Sequence, residues 1–229
     1  MYLIGLTGNI ATGKSSVARI LQELGAYVVD ADKLAHRLME PRSEVWQQVV
    51  DAFGEEMVGP GNRIDRARLG ALVFSDPEAL RRLEEIVHPA VLAETERILT
   101  GIEQAHGPEK GGLQQGEVAR GPVAVVEAIK LIESSLAERC DSVWVVTCAR
   151  DLQVQRLMEN RGLSRAEALL RIGAQPSQEQ KVGLADVVIE NSGSREGLRE
   201  RVEREWERLQ ALLSSSDYMA RRGLPNPRA

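Results

Sequence analysis

A chain of 229 residues, 43% hydrophobic, has enough apolar material for one sizeable α/β domain with insertions and too much for a disordered segment. Its net charge of −5 is spread over interspersed acidic and basic residues, which argues against a general nucleic-acid-binding surface. No apolar run approaches roughly 20 residues and the apolar start lacks a basic stretch, so the expected setting is the cytoplasm, with neither a membrane span nor a signal peptide.

Tyr2 to Thr7 is a short apolar run that reads as a buried strand. Gly8-Asn9-Ile10-Ala11-Thr12-Gly13-Lys14-Ser15 follows and fits G-x-x-x-x-G-K-[ST], the phosphate-binding loop. Val17, Ile20, Leu21 and Leu24 then recur at helical spacing, and Gly25 sits where a helix stop belongs. A strand, a glycine turn and a helix N-terminus in that order make a cradle for anionic oxygens. In it Lys14 reaches the β/γ-phosphates and the Ser15 hydroxyl binds Mg²⁺. The nucleotide-binding candidates are Gly8, Asn9, Ala11, Thr12, Gly13, Lys14, Ser15 and Ser16, with ATP and Mg²⁺ as the expected ligands.

Residues 26–30 read as a second strand ending in Asp30-Ala31-Asp32. Ligands of open parallel α/β sheets sit outside the carboxyl ends of the strands, so a carboxylate there falls on the same edge as the phosphate loop. One aspartate can cap the next helix while Asp32 faces the ligand. Residues 42–105 read as almost wholly helical, with an apolar stripe closed by Gly54 and a turn at Gly59-Pro60-Gly61-Asn62. Pro89 disfavours helical geometry at His88, so a break or kink is expected there. Taken alone, His88 is more often a packed or capping histidine than a ligand. So much helix between two strands exceeds a simple crossover and points to an inserted acceptor-binding region.

Residues 106–122, rich in glycine, are expected to form a mobile surface loop or linker. Val123 to Glu127 is a third buried strand, with Glu127 at its end, where a carboxylate orders Mg²⁺ through water. Ser142 to Cys148 is a fourth. Cys140 and Cys148 have no metal-ligand or C-x-x-C spacing and read as buried thiols in a reducing compartment. In residues 150–182 the capping patterns Ser164-x-x-Glu167 and Ser177-x-x-Gln180 start two helices that flank a turn near Gly173 to Pro176. Most charge runs of this kind are solvated helix faces. In a phosphoryl-transfer enzyme, an Arg-rich hairpin here is a closing lid, with Arg156 and Arg161 neutralising the transferring group. Residues 185–190 form a fifth strand ended by Asn191-Ser192-Gly193, and a long amphipathic helix carries Leu198, Val202, Trp206, Leu209 and Leu213. Residues 214–229 read as a flexible tail.

The fold class is therefore α/β: three layers around a five-stranded parallel sheet, with a helical insertion at 36–105 and an Arg-rich lid at 150–182. The core comprises 1–35, 106–149 and 183–213, and residues 1–205 are taken as one domain. A small-molecule kinase and a GTPase-type switch compete as functions. The base-reading Asn-Lys-x-Asp is absent, and Asp51-Ala-Phe-Gly54 matches D-x-x-G only inside a helical pattern, so the kinase is favoured.

Gly5-Leu6-Thr7-Gly8 leading into Gly13-Lys14-Ser15, Asp30-Ala31-Asp32, His88-Pro89, Leu131-Ile132-Glu133, Arg156 with Arg161-Gly162, Gln175, and Ala185-Asp186 before Asn191 occur in this order. As a set they closely resemble the dephospho-CoA kinase family from residue 1 to about 205. The resemblance implies transfer of the ATP γ-phosphoryl group to the ribose 3′-hydroxyl of dephospho-CoA, by a nucleotide-kinase-like core with a helical CoA-binding region and a lid. It implies Asp32 as the base on the acceptor hydroxyl, with Lys14, the loop amides, Ser15 with Mg²⁺, and Arg156 neutralising charge. It places Arg66 and His88 on the acceptor side, and Asn191 and Gly193 near the adenine. Asn9 and Ala11 stand where the family usually has glycine; Asn tolerates positive φ and Ala is small, so the cradle is expected to survive. Lys130 lies in a segment that departs from the family's Pro-Leu-Leu-like pattern, and either adds a phosphate contact or alters acceptor packing. The expected partners are the small molecules ATP and dephospho-CoA, with no nucleic acid or membrane, and a monomer is favoured. A same-fold kinase acting on another hydroxyl acceptor is the alternative, and a non-catalytic nucleotide switch is a further one.

Overall fold

The computed structural model describes residues 1–106, 121–134 and 136–215; the expected loop at 106–122 and tail at 214–229 lie almost wholly outside them. The described chain contains five strands: β1 (Tyr2–Thr7), β2 (Tyr27–Asp30), β3 (Val123–Glu127), β4 (Ser142–Thr147) and β5 (Val187–Glu190). They form one sheet in the order β2-β3-β1-β4-β5. β1 runs parallel to β3, with Leu6 opposite Glu127, and parallel to β4, with Thr7 opposite Val145; β4 and β5 are parallel as well. The chain leaves β1 for one side of the sheet and returns on its other side at β4. The carboxyl end of β1 thus lies at the topological switch point, where ligands of such sheets bind.

β1 and β3 are buried at every residue, which is why both read as continuous apolar runs rather than alternating ones. Tyr2, Ile4 and Leu6 point to one face of the sheet, where they join Val125, Trp144, Val146 and Ile189. Helices α1 (Lys14–Glu23) and α9 (Arg195–Leu213) cover this face with Val17, Leu21, Leu198 and Val202. Each such buried aliphatic side chain contributes about 1.5–3 kcal/mol relative to exposure. On the other face, Leu131 and the Cys140 thiol fill the space over Gly5, where a Cβ would collide with both.

The amino ends of the strands are tied by carboxylates. Asp141 Oδ2 accepts a hydrogen bond from Leu3 N, and Asp186 Oδ2 accepts one from Val143 N, both at 2.7 Å. Asp186 therefore holds the β4–β5 register rather than serving the ligand edge. After β4 come α6 (Arg150–Arg161), α7 (Arg165–Gly173) and α8 (Gln178–Val182). Gly162 ends α6 in the left-handed region at φ 63°, Ser164 starts α7 with a full capping box, and Ser177 caps α8.

Met1–Val29 with the chain from Gly101 onward form one compact unit, and residues Asp30–Thr100 form the second. In it lie α2 (Ala31–Leu38), α3 (Glu44–Phe53), α4 (Arg66–Ser75) and most of α5 (Pro77–His106). Asp30 is the residue that caps α2, accepting from Lys33 N at 2.9 Å; Ser43 and Asp65 cap α3 and α4 in the same way. Of the break or kink expected at His88, no break occurs, since α5 continues through Pro89. A helical proline forfeits one backbone hydrogen bond and crowds the preceding turn. Val87, Val91 and Thr95, spaced four apart, are buried along one stripe of α5, and the apolar burial of Val87 and Val91 works against that cost.

Of the two cysteines, Cys148 is buried and Cys140 is half-buried. Burial, with Asp141 adjacent, pushes the Cys140 thiol up from 9.0 to about 12. The native state therefore keeps a proton that the unfolded chain loses first, so this contribution to stability is whole below about pH 9 and is lost as the pH rises toward 12. Urea-unfolding free energies measured across that window should fall with pH, and Cys140→Ala should flatten the fall. An unchanged slope in the variant would remove the assignment.

Candidate active site

β1 delivers the chain into the phosphate loop at the carboxyl edge of the sheet. Gly8 has φ 149°, and a Cβ there would collide with the Val146 carbonyl oxygen. Gly13, at φ 96°, precedes α1, and a Cβ there would collide with Asn191 Nδ2. Both positions require glycine. Ala11, not Asn9, takes the other left-handed position of the loop, at φ 60°. The expectation that Asn9 would use its tolerance of positive φ is thus corrected, and the strain, about 1–2 kcal/mol for a non-glycine residue, falls on Ala11. Ala11 and Ile10 pack against Val154, Leu157, Ala168 and Ile172 of α6 and α7, which holds them there. Asn9 is instead 4% exposed, and its Nδ2 donates to the Pro176 carbonyl at 2.8 Å.

Three successive carbonyls of the loop, those of Ile10, Ala11 and Thr12, are held by side chains. Gln153 Nε2 donates to Ile10 O at 2.8 Å. Arg156 Nη1 donates to Ala11 O and Thr12 O, each at 3.2 Å, and its Nη2 to Asn191 O at 3.0 Å. Asn191 Nδ2 donates to Thr12 O at 2.8 Å. In a planar trans peptide the N–H of the next residue points opposite to the carbonyl. The N–H groups of Ala11 and Gly13 therefore face away from α6. Thr12 Oγ1 closes the loop onto Asn9 O at 2.9 Å. α1 begins at Lys14, which is buried, and its N-terminus has no side-chain cap. Such an end attracts anionic oxygens through its amides and its partial positive charge. Ser16 N closes the first turn onto Gly13 O at 3.0 Å.

Ser15 is exposed, and its Oγ donates to Glu127 Oε1 at 3.0 Å. Beside the loop opens a cleft of about 660 Å³ lined by Ser16, Asn160, Arg161, Asn191, Gly193 and Arg195 together with Arg156. The structure thus gathers the loop, Arg156, Arg161, Asn191 and Gly193 at one place. Lys130, exposed in the turn after β3, does not line this cleft.

In the second unit, Asp32 is exposed in the first turn of α2, where a carboxylate complements the helix dipole. His36 lies one turn further along the same face. Burial and the charge of Arg66 push the His36 pKa down, against the pull of Asp32 and Asp30. Arg66 opens α4. Asp32, His36 and Arg66 therefore belong to one electrostatic group, whereas His88 is exposed on α5.

The model of dephospho-CoA kinases matches residues 2–197 of this chain. The chain belongs to the dephospho-CoA kinase family. It is 44% identical over 210 residues to a dephospho-CoA kinase of Geobacter sulfurreducens, an alignment that covers 90% of this chain and 98% of that one. It is 40% identical over 215 residues to one of Thermobifida fusca, covering 94% and 100%. Among solved structures it is similar to TT1252 from Thermus thermophilus, with 36% identity and a TM-score of 0.72, covering 90% of this chain and 96% of that one.

The sequence by itself marked neither Gln153 nor His36 and gave Gln175 no role, whereas the structure places Gln153 and Gln175 on the loop and His36 beside Asp32 and Arg66. The i, i+4 spacing from Asp32 was a signal for His36. Gln153 had none, since its partner Ile10 is 143 residues away. Gly13→Ala should force the chain out of its left-handed turn and push Asn191 off Thr12. The Kd for a fluorescent ATP analogue is expected to rise by at least about tenfold, or about 1.4 kcal/mol. An unchanged Kd in a folded variant would contradict the loop geometry.

Proposed function

We propose that this chain transfers the γ-phosphoryl group of ATP to the ribose 3′-hydroxyl of dephospho-CoA, giving CoA and ADP, the final step of coenzyme A biosynthesis. Membership of the dephospho-CoA kinase family over most of the chain supports the substrate. The observation that carries the chemistry is the phosphate loop, with its carbonyls held by Gln153, Arg156 and Asn191. Phosphoryl transfer needs positioning and charge neutralisation more than covalent participation by the protein. The loop amides and Lys14 meet the β/γ-phosphates. Arg156 acts first as the brace of the loop and brings its positive charge to the same place. Arg161, Asn191 and Gly193 serve the nucleoside side of the cleft.

Ser15 Oγ and Glu127 Oε1 are two oxygen donors 3.0 Å apart, a pair suited to a hard divalent cation. Among the described residues no cluster of three His, Cys, Asp or Glu side chains could cage a metal. This fits Mg²⁺, which keeps several waters and takes substrate phosphates as ligands. Ser15 would hold the ion and Glu127 order its water. When bound, Mg²⁺ neutralises charge on the β- and γ-phosphate oxygens.

On the acceptor side, Asp32 accepts the hydrogen bond of the 3′-hydroxyl, orients it, and takes its proton late in transfer. His36, with its pKa lowered, stays neutral at pH 7 and does not compete for Asp32 as a cation. Arg66 contributes a fixed positive charge suited to the acceptor's phosphates. No helix among the described residues is long and apolar enough to cross a membrane, and we place the enzyme in the cytoplasm.

ADP release measured with ATP, Mg²⁺ and dephospho-CoA, beside AMP, adenosine and no acceptor, tests the reaction. Turnover with dephospho-CoA alone, and a product heavier by one phosphate, is the expected result; turnover with another acceptor only would overturn it. Asp32→Asn should lower kcat by about 10²–10⁴-fold with little change in ATP affinity. Equal turnover would end the role given to Asp32.

A further inference from the structure

Three side chains between residues 175 and 181 have no part in the transfer chemistry, yet each fastens to the backbone just beyond a different strand. Gln175 Oε1 accepts from Ile10 N, after β1, at 2.7 Å. Gln178 bonds Cys148, after β4, in both directions: its Oε1 accepts from Cys148 N and its Nε2 donates to Cys148 O, each at 3.0 Å. Lys181 Nζ donates to Ile129 O, after β3, at 2.6 Å and pairs with Glu133 at 3.2 Å. β3, β1 and β4 are neighbours at the centre of the sheet. The segment therefore runs across the carboxyl ends of the three central strands and ties each one.

The chemistry of these anchors sets them apart from a solvated lid face. Lys181 is only 3% exposed. Burying an ammonium group costs several kcal/mol unless it is paired and hydrogen-bonded, and a helix that merely covers a nucleotide has no need of one. Gln175 takes up the Ile10 amide and so sets the Asn9–Ile10 peptide plane, one residue ahead of the strained Ala11. Thr7 Oγ1, at the end of β1, donates at 3.1 Å to the same Ile129 carbonyl that Lys181 holds. Ile129 lies two residues beyond Glu127, whose carboxylate receives the Ser15 hydroxyl. The anchors thus fix the phosphate loop on one side and the Glu127 segment on the other. Asn9 adds a bond of its own to Pro176, which a glycine at that position has no atoms to make.

We infer that Gln175, Gln178 and Lys181 form a positioning strap that sets the spacing between the phosphate loop and Glu127 for phosphoryl transfer. This rests on the kinase reading above and adds positioning residues to it. None of the three touches the reacting atoms; each acts through the backbone it holds. Misplacing a reacting group by about 1 Å can cost about a hundredfold in rate while binding is largely kept, so the strap acts on turnover more than on nucleotide affinity.

Gln175→Met and Lys181→Met, singly and together in the full chain, test this by steady-state phosphorylation of dephospho-CoA, titration with a fluorescent ATP analogue, and circular dichroism. Each single variant is expected to lower kcat by about ten- to a hundredfold while the analogue's Kd changes less than about threefold. The double variant should lose much less than the product of the two single losses, as for residues acting as a unit. Folded variants with kcat within about twofold of wild type, or a loss confined to unfolding midpoint or to ATP affinity, would overturn the strap. If Lys181→Met fails to fold, Gln175→Met, at a half-buried position, decides the matter. Wild-type protein that does not phosphorylate dephospho-CoA would remove the kinase reading itself, a result distinct from active wild type with equally active variants.

Discussion

The rest of the site depends on the orientation of a few peptide planes in the phosphate loop. A trans peptide carries its acceptor and its donor on opposite edges. Whatever holds the carbonyls therefore aims the amides. Here Gln153, Arg156 and Asn191 hold the carbonyls of Ile10, Ala11 and Thr12. Two of the three come from α6, a helix that the charge pattern alone marks only as basic. Arg156 has a planar fork of donors and spans three carbonyls at once, which a lysine has no geometry to do.

The parallel sheet serves this loop as a platform tied at both ends. At the amino edge, Asp141 and Asp186 take the amides of Leu3 and Val143 and fix neighbouring strands in register. At the carboxyl edge, Gln175, Gln178 and Lys181 bond the backbone after β1, β4 and β3. Between these ties the strands are sealed by apolar packing of α1 and α9. A slip of one residue would turn every buried side chain to the wrong face, so polar ties and apolar packing enforce the same register.

The second unit follows a different logic, built on helix caps and charge. Asp30 caps α2, and Asp32 lies in the first turn of that helix. Partial burial and then the charge of Arg66 lower the pKa of His36 despite two nearby aspartates.

What the amino-acid sequence by itself determined was whatever local pattern encodes. The apolar run of β1, the glycines, and Lys14-Ser15 at the start of a helix announced the phosphate loop. The capping residues Ser164 and Ser177 announced α7 and α8, and the ordered motifs together pointed to the dephospho-CoA kinase family. These are short-range effects of backbone sterics, capping and periodicity, readable within a few residues. The tertiary structure alone decided where the strain in the loop falls, because Ala11 is held at positive φ by packing on α6 and α7. It alone decided that α5 continues through Pro89, with the apolar burial of Val87 and Val91 on the helix's inner stripe working against the lost hydrogen bond. It alone paired Gln175 with Ile10 across 165 residues, and Arg156 with Ala11 across 145. A side chain's distant partner depends on how the sheet brings chain segments together, and no periodicity in the sequence carries that information.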